Sequence, residues 1–188
     1  IADCAHKLTF YAICIETDPL VWYNRCAVSE RQSAWLCAFG RSDFRENYMK
    51  LISFVVPCYN SQAYMKKCID SLLTAGEDAE IIIVNDGSTD ITLKIAKTYR
   101  ANFPGIVKVI DKPNGGHGSG VNAGLKEAEG LYFKVVDSDD WLDTDALRKL
   151  LDTIKSHISA GQSPDLYITN FVYDKPSVND TFVSHYRK

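Results

Sequence analysis

Leu51-Ile52-Ser53-Phe54-Val55-Val56-Pro57 is apolar on both faces, the pattern of a central strand in a parallel sheet. Working outward, Asn60 or Ser61 can cap a helix in which Tyr64, Met65, Cys68, Ile69, Leu72 and Leu73 recur at helical spacing. A second strand, Glu80 to Val84, runs into Asn85-Asp86-Gly87-Ser88-Thr89-Asp90. There Asp90 can cap a helix that turns Ile91, Ile95, Tyr99 and Phe103 inward. A third strand, Ile106 to Ile110, leads through Asp111-Lys112-Pro113-Asn114-Gly115 as a turn to a helix near Val121 to Ala128. The strand Leu131 to Val136 follows, then a helix after Asp143 with Leu147, Leu150, Leu151, Ile154 and Ile158 in phase, and a strand at Asp165 to Phe171. Short β-rich runs alternating with amphipathic helices predict an α/β fold with a largely parallel sheet. Right-handed crossovers alternate the helices over its faces and open every strand-to-helix loop on one edge, where ligands bind in open α/β sheets.

At 188 residues, with 46% hydrophobic and 24% charged residues, the chain is long enough for one globular domain. A net charge of -3 and the absence of a Lys/Arg run exclude a nucleic-acid footprint and a polybasic membrane patch, and favour a small-molecule or glycan partner. No stretch reaches the roughly 18 apolar residues of a membrane helix, and no signal-peptide pattern opens the chain. The reading is cytoplasmic, with peripheral attachment to a membrane through a partner. Ile1 to Tyr48 shows no sustained period and mixes Trp22 and Trp35 with Cys4, Cys14, Cys26 and Cys37. Residues 1–48 are therefore expected to be an atypical, poorly packed segment foreign to the native domain, and 49–188 the domain itself. The cysteines form neither C-x-x-C nor a zinc-spaced set, so reduced thiols are expected, with Cys58 and Cys68 acting as small hydrophobes.

The run Leu131 to Val136 ends in Asp137, Asp139 and Asp140, then Trp141 and Leu142. Clustered carboxylates at a buried strand end resist joint ionisation, so something cationic should sit there. A divalent metal fits, because hard cations take carboxylate oxygens and an open coordination position recruits an anion such as a diphosphate. In the plainer alternative, Asp139 or Asp140 caps the next helix. Tyr59 and Asn60 suit stacking on, or reading the edge of, a flat base; a turn with a capping Asn is the alternative. Asp86 can accept from a base imide or a ribose hydroxyl, or simply open a turn. Gly118, Gly120 and Ala123 match a G-x-G-x-x-A spacing, but an intervening turn spoils the dinucleotide-binding context. Asn114 to Gly116 instead predict a left-handed turn that lets backbone N–H groups near a helix start approach phosphate oxygens. Lys112 and His117 are candidate diphosphate donors, with solvent exposure as the alternative for each.

In this order, VVPCYN, IIIVNDGSTD, KPNGGHGSGVNAGL and VVDSDDWL strongly resemble glycosyltransferase family 2, inverting nucleotide-sugar transferases of GT-A fold. The resemblance spans Lys50 to about Phe171. It implies a C-terminally truncated GT-A domain that binds a nucleoside diphosphate sugar, a UDP-sugar by preference, and a glycan or lipid-linked acceptor in cell-envelope polysaccharide synthesis. It also implies Pro57, Tyr59 and Asn60 in a nucleotide-contacting loop and Asp86 as base reader. Lys112, Gly116, His117 and Asn122 belong with its glycine-rich donor loop. Asp137 and Asp139 match the metal-binding DxD pair, Asp139 as principal ligand of Mg²⁺ or Mn²⁺, and Asp140 shares that duty or orients the ribose. Two departures stand out: Val121 replaces an arginine many members carry before the Asn, and the family's general base falls beyond Lys188. The fragment is thus expected to bind donor without transfer. A non-catalytic nucleotide- or sugar-binding module and a Rossmann-type oxidoreductase are the competing readings.

Overall fold

The computed structural model describes residues 12–14, 50–162, 164–175 and 180–184. Apart from Ala12–Cys14, the segment 1–48 read above as foreign lies outside the described residues. Strand β1 (Ala12–Cys14) is followed by β2 (Ile52–Cys58), helix α1 (Met65–Leu73), β3 (Ala79–Asp86), α2 (Thr92–Asn102), β4 (Val107–Lys112), α3 (His117–Glu127), β5 (Tyr132–Val135) and α4 (Thr144–Ser159). Short strands β6 (Leu166–Ile168), β7 (Phe171–Lys175) and β8 (Asp180–Ser184) close the described chain. Four parallel strands form the central sheet in the order β4-β3-β2-β5, with Val55 paired to Ile82 on one side and Val135 on the other. β6 pairs antiparallel with β1, and β7 with β8.

Every residue of β2 and β3 is buried, as strands covered on both faces require. The helices do not alternate over the faces as anticipated. Ile69 and Leu72 of α1, Ile95 and Ala96 of α2, and Leu147, Leu151 and Ile154 of α4 all join one core with Phe54, Ile81 and Ile83. Val55, Ile82 and Val84 face the other way, packed with Ala123 of α3. The reason is direction: stepping from β2 to β3 to β4 keeps right-handed crossovers on one face, and the reversal from β4 to β5 moves α3 to the other. That reversal makes the crevice between the C-terminal ends of β2 and β5 the switch point of the sheet. Helix α3 lies so close that a Cβ on Gly124 would strike the methyl groups of Val55.

Several local expectations shift. Tyr64 and Ile91 sit at helix starts and are exposed, as are Phe103 and Ile158 at helix ends, where the buried stripe runs out. β4 runs two residues past Ile110, because Asp111 and Lys112 still pair with Asn85 and Asp86. α3 begins at His117, four residues before Val121, so the glycines anticipated as a loop form its first turn. Of Asn114, Gly115 and Gly116, only Gly116 is left-handed, at φ +83°. The strand expected over Asp165 to Phe171 is broken at Thr169 and Asn170. Neither Asn60 nor Ser61 caps α1 with its side chain. Cys58 and Cys68 are buried free thiols, as read.

Candidate donor-binding edge

Four loops leave the C-terminal edge of the sheet, and hydrogen bonds join each to its neighbours. After β2, Asn60 adopts a left-handed backbone at φ 50°. Its Oδ1 accepts from Thr89 N at 2.9 Å, and its own N–H donates to Ser88 Oγ at 3.0 Å. Asp90 strengthens this seam: Oδ1 accepts from Thr92 N at 2.9 Å, starting α2, and Oδ2 accepts from Gln62 N at 3.2 Å. On the other side, Ser61 Oγ and Ser138 Oγ are 2.7 Å apart, tying the first loop to the acid loop.

Asp86 closes β3. It is 3% exposed, and three donors converge on it. Lys112 Nζ forms an ion pair with Oδ1. Gly115 N donates to Oδ1 at 2.9 Å and Gly116 N to Oδ2 at 2.8 Å. Burial alone would push this carboxyl upward, but the ammonium and the two amides outweigh it and hold the pKa below the ordinary value. Lys112 Nζ also donates to Pro113 O at 2.7 Å. Both candidates named from sequence are thus engaged with each other. Beside them Asn85 Nδ2 donates to Asp111 Oδ1 at 2.8 Å.

The circuit closes between α3 and the acid loop, where His117 Nε2 lies 2.9 Å from Asp137 Oδ1. Asp140 N donates to Asp137 O at 2.9 Å, so the acids form a tight turn. Capping of α4 falls to neither Asp139 nor Asp140 but to Asp143, whose Oδ1 accepts from Ala146 N at 2.8 Å. The plainer explanation of the acids is therefore displaced by one turn of chain. Asp140 is buried, and Asp137 is exposed. Tyr59, directly after the end of β2, is 55% exposed. Pro57 is buried at the end of β2, and Asn122 is exposed on the second turn of α3.

Sequence reasoning overlooked Lys134. It sits mid-strand in β5, 3% exposed, on the same face as its pair Phe54. Burial pushes its pKa down to about 8, and the fields of Asp140 and Asp137 counter part of that drop. A charged residue inside the apolar run LYFKVV was the available signal: an inward lysine needs acids nearby. Part of the cation those acids demand is therefore supplied by the protein. Ser138 carried no comparable signal, because its partner Ser61 lies far away in sequence, and Asp90 was legible as a cap of α2 but not as the acceptor for Gln62 N.

Among the described residues, no group of three or more His, Cys, Asp or Glu side chains could hold a metal by itself. Mg²⁺ and Mn²⁺ do not require one, since one or two carboxylates plus substrate phosphates complete their shell. Asp137 and Asp139 offer hard oxygens of that kind. The donor set fits an ion that arrives with a diphosphate, not a dedicated protein cage. No helix among the described residues is long and apolar enough to cross a membrane.

Comparison with known proteins agrees with the geometry. Hyaluronan synthase of Pasteurella multocida is 41% identical over 110 residues, 58% of this chain and 11% of that protein. The putative glycosyltransferase EpsH of Bacillus subtilis is 37% identical over 134 residues, 71% of this chain and 37% of its own length. The chain therefore spans well under half of these relatives. The crystal structure of S. aureus TarS 1-349 in complex with UDP superposes with a TM-score of 0.51 at 34% identity, covering 58% of this chain and 33% of that one. The α/β architecture is that of the GT-A glycosyltransferases. The profile of Glycosyl transferase family 2 matches residues 53–185, and the chain belongs to that family.

Proposed function

We propose that this edge is the donor site of a glycosyltransferase that moves a sugar from a nucleoside diphosphate sugar, a UDP-sugar by preference, to a hydroxyl of a glycan or lipid-linked acceptor. The observation that carries this reading is the hydrogen-bonded circuit of four loops around the switch point, with the start of α3 joined to the acid loop through His117 and Asp137. A diphosphate set there meets the positive end of α3 on one side and carboxylates on the other. TarS, to which this chain is similar in fold over 58% of its length, has been crystallised with UDP.

In this reading Tyr59 stacks on the base and Asn60 holds the loop that presents it. His117 donates to the diphosphate. Asp137 and Asp139 would hold Mg²⁺ or Mn²⁺, and Asp140 would share that duty or orient the ribose. When bound, such an ion would supply Lewis acidity and neutralise charge on the departing diphosphate. The acceptor oxygen attacks the anomeric carbon from the face opposite the leaving group, which inverts it. Its proton goes to a base that we assign to none of the described residues.

Calorimetry of UDP with and without Mn²⁺ tests the reading. Affinity should rise at least about tenfold with the metal, and Asp139→Asn should abolish that gain without altering the unfolding midpoint. Equal UDP affinity with and without Mn²⁺ would defeat it.

A further inference from the structure

We propose that Asp86 and Lys112 are positioning residues for the donor diphosphate, acting by pinning the turn from which α3 starts. The inference rests on the donor-site reading above and assigns these two residues to scaffold work whether or not Asp86 also reads a base. Three donors from two directions end on the Asp86 carboxylate: Lys112 Nζ and Gly115 N on Oδ1, and Gly116 N on Oδ2. The donors come from the last residue of β4 and from the turn after it, and β3 and β4 are in register at Asp86 and Lys112. Gly116, left-handed at φ +83°, is the residue before α3. Its carbonyl accepts the first bonds of the helix, from Ser119 N at 3.0 Å and Gly120 N at 3.1 Å. The carboxylate therefore holds the N–H of the residue whose carbonyl begins the helix. Moving Asp86 moves that start, and with it His117.

The clasp is also tightly packed around Lys112. A Cβ on Gly115 would stand 3.0 Å from Lys112 Nζ and 2.7 Å from Ser119 Oγ. An ammonium so placed compensates a carboxylate that is 3% exposed, and a buried charge without its partner is strongly unfavourable. Lys112 is accordingly the counter-ion of the clasp in this state, and the diphosphate meets the helix start that the clasp positions.

The test uses inorganic pyrophosphate with Mn²⁺, a probe that has no base to read, together with amide hydrogen exchange at Gly115 and Gly116 in the absence of ligand. Asp86→Asn offers one acceptor oxygen where three donors converge. It should speed exchange at both glycines and weaken pyrophosphate binding about tenfold, the effect of losing charge-assisted hydrogen bonds. Lys112→Met should weaken pyrophosphate similarly, and Lys112→Arg, which restores the ion pair, should recover most of the loss. If Asp86→Asn does not fold, the lysine pair decides alone. Unchanged exchange at Gly115 and Gly116 in Asp86→Asn overturns the inference, as does wild-type pyrophosphate affinity in Lys112→Met. Should the parent protein bind neither pyrophosphate nor UDP, the donor-site reading fails, while the exchange measurement still decides the clasp.

Discussion

His117 Nε2 and Asp137 Oδ1, 2.9 Å apart, join the first residue of α3 to the first acid beyond β5 across the mouth of the crevice. Both side chains are more than half open to solvent or nearly so, at 64% and 50%. Exposed pairs of this kind contribute only about 0–1 kcal/mol, so the contact matters for placement more than for stability. His117→Ala should leave urea unfolding within about 0.5 kcal/mol of the parent. Its affinity for UDP with Mn²⁺ should fall between about threefold and tenfold, since one donor to the diphosphate is lost. Parallel unfolding and calorimetric titrations check both halves.

Gly87 and Gly116 are both left-handed, at φ +68° and +83°, yet they should respond differently to alanine. A Cβ on Gly87 would stand 2.6 Å from Asn114 N, whereas one on Gly116 meets nothing within 4 Å. Gly116→Ala should cost only the backbone strain of φ +83°, ψ 167°, a region essentially confined to glycine, about 1–3 kcal/mol. Gly87→Ala adds a backbone collision between the second and third loops and should cost about 1–3 kcal/mol more, the range of overpacking. Chemical denaturation of the two variants measures the gap, and equal losses would show that the loops yield freely at Asn114.

The buried strands and the edge they open onto were legible in sequence because apolar runs and punctuating residues are local signals. Val55, Ile82 and the acids after Val136 announce themselves within a few positions. What was hidden depends on partners distant in the chain. Asp86 reads as an open acceptor until Gly115 and Gly116 are seen to end on it. Lys112 reads as a turn residue until register with Asp86 extends β4 through it. The start of α3 was misplaced because glycines have poor helix propensity, and here close packing on Val55 and Pro57 overrides that preference. Lys134 was in plain view, and its meaning needed only the question of which way a mid-strand lysine points.

Stability should peak near pH 9. Lys134 carries a pKa of about 8 in the fold against an ordinary 10.5, so between those values the unfolded chain binds more protons and stability rises with pH. Buried Cys58, pushed up from 9.0 to about 12, and Cys68, also raised, act in the opposite sense above pH 9, where unfolded thiols ionise and folded ones do not. Each group contributes roughly 1.4 kcal/mol per pH unit within its window. Among the described residues the lysine leads from pH 8 to 9, above 9 the two thiols outweigh it, and above 10 the raised phenols of Tyr99 and Tyr132 act in the same sense as the thiols. Urea midpoints at pH 7.5 to 10.5 would trace this curve. Lys134→Met should remove the rise below pH 9, and the Cys58→Ala, Cys68→Ala double variant should flatten the fall above it.

Glu80 gives the reciprocal case, a charged group that should matter for stability and not for binding. It lies near the N-terminal end of β3, at the opposite edge of the sheet from the crevice. At 2% exposure its carboxylate accepts from Ser53 Oγ at 2.5 Å, Glu129 N at 2.6 Å and Gly130 N at 3.2 Å, and Lys108 Nζ stands 2.8 Å away. These bonds seat the turn that delivers the chain into β5. Burial tends to raise this carboxyl, but Lys108, Ser53 and the Glu129 amide prevail and hold its pKa below the ordinary 4.5. A depressed carboxylate stabilises the fold above its unfolded pKa and loses that contribution as pH falls through the folded value. Glu80→Gln keeps the shape and one acceptor but loses the charge, so it should lose about 1–3 kcal/mol at pH 7. Its stability should then vary less than the parent's as the pH drops below 4.5. Its affinity for UDP with Mn²⁺ at pH 7, measured below its melting transition, should match the parent's. A large loss of affinity in a folded Glu80→Gln protein would mean that the two edges of the sheet communicate, and that α3 transmits strain from the turn at Gly130 to the diphosphate end.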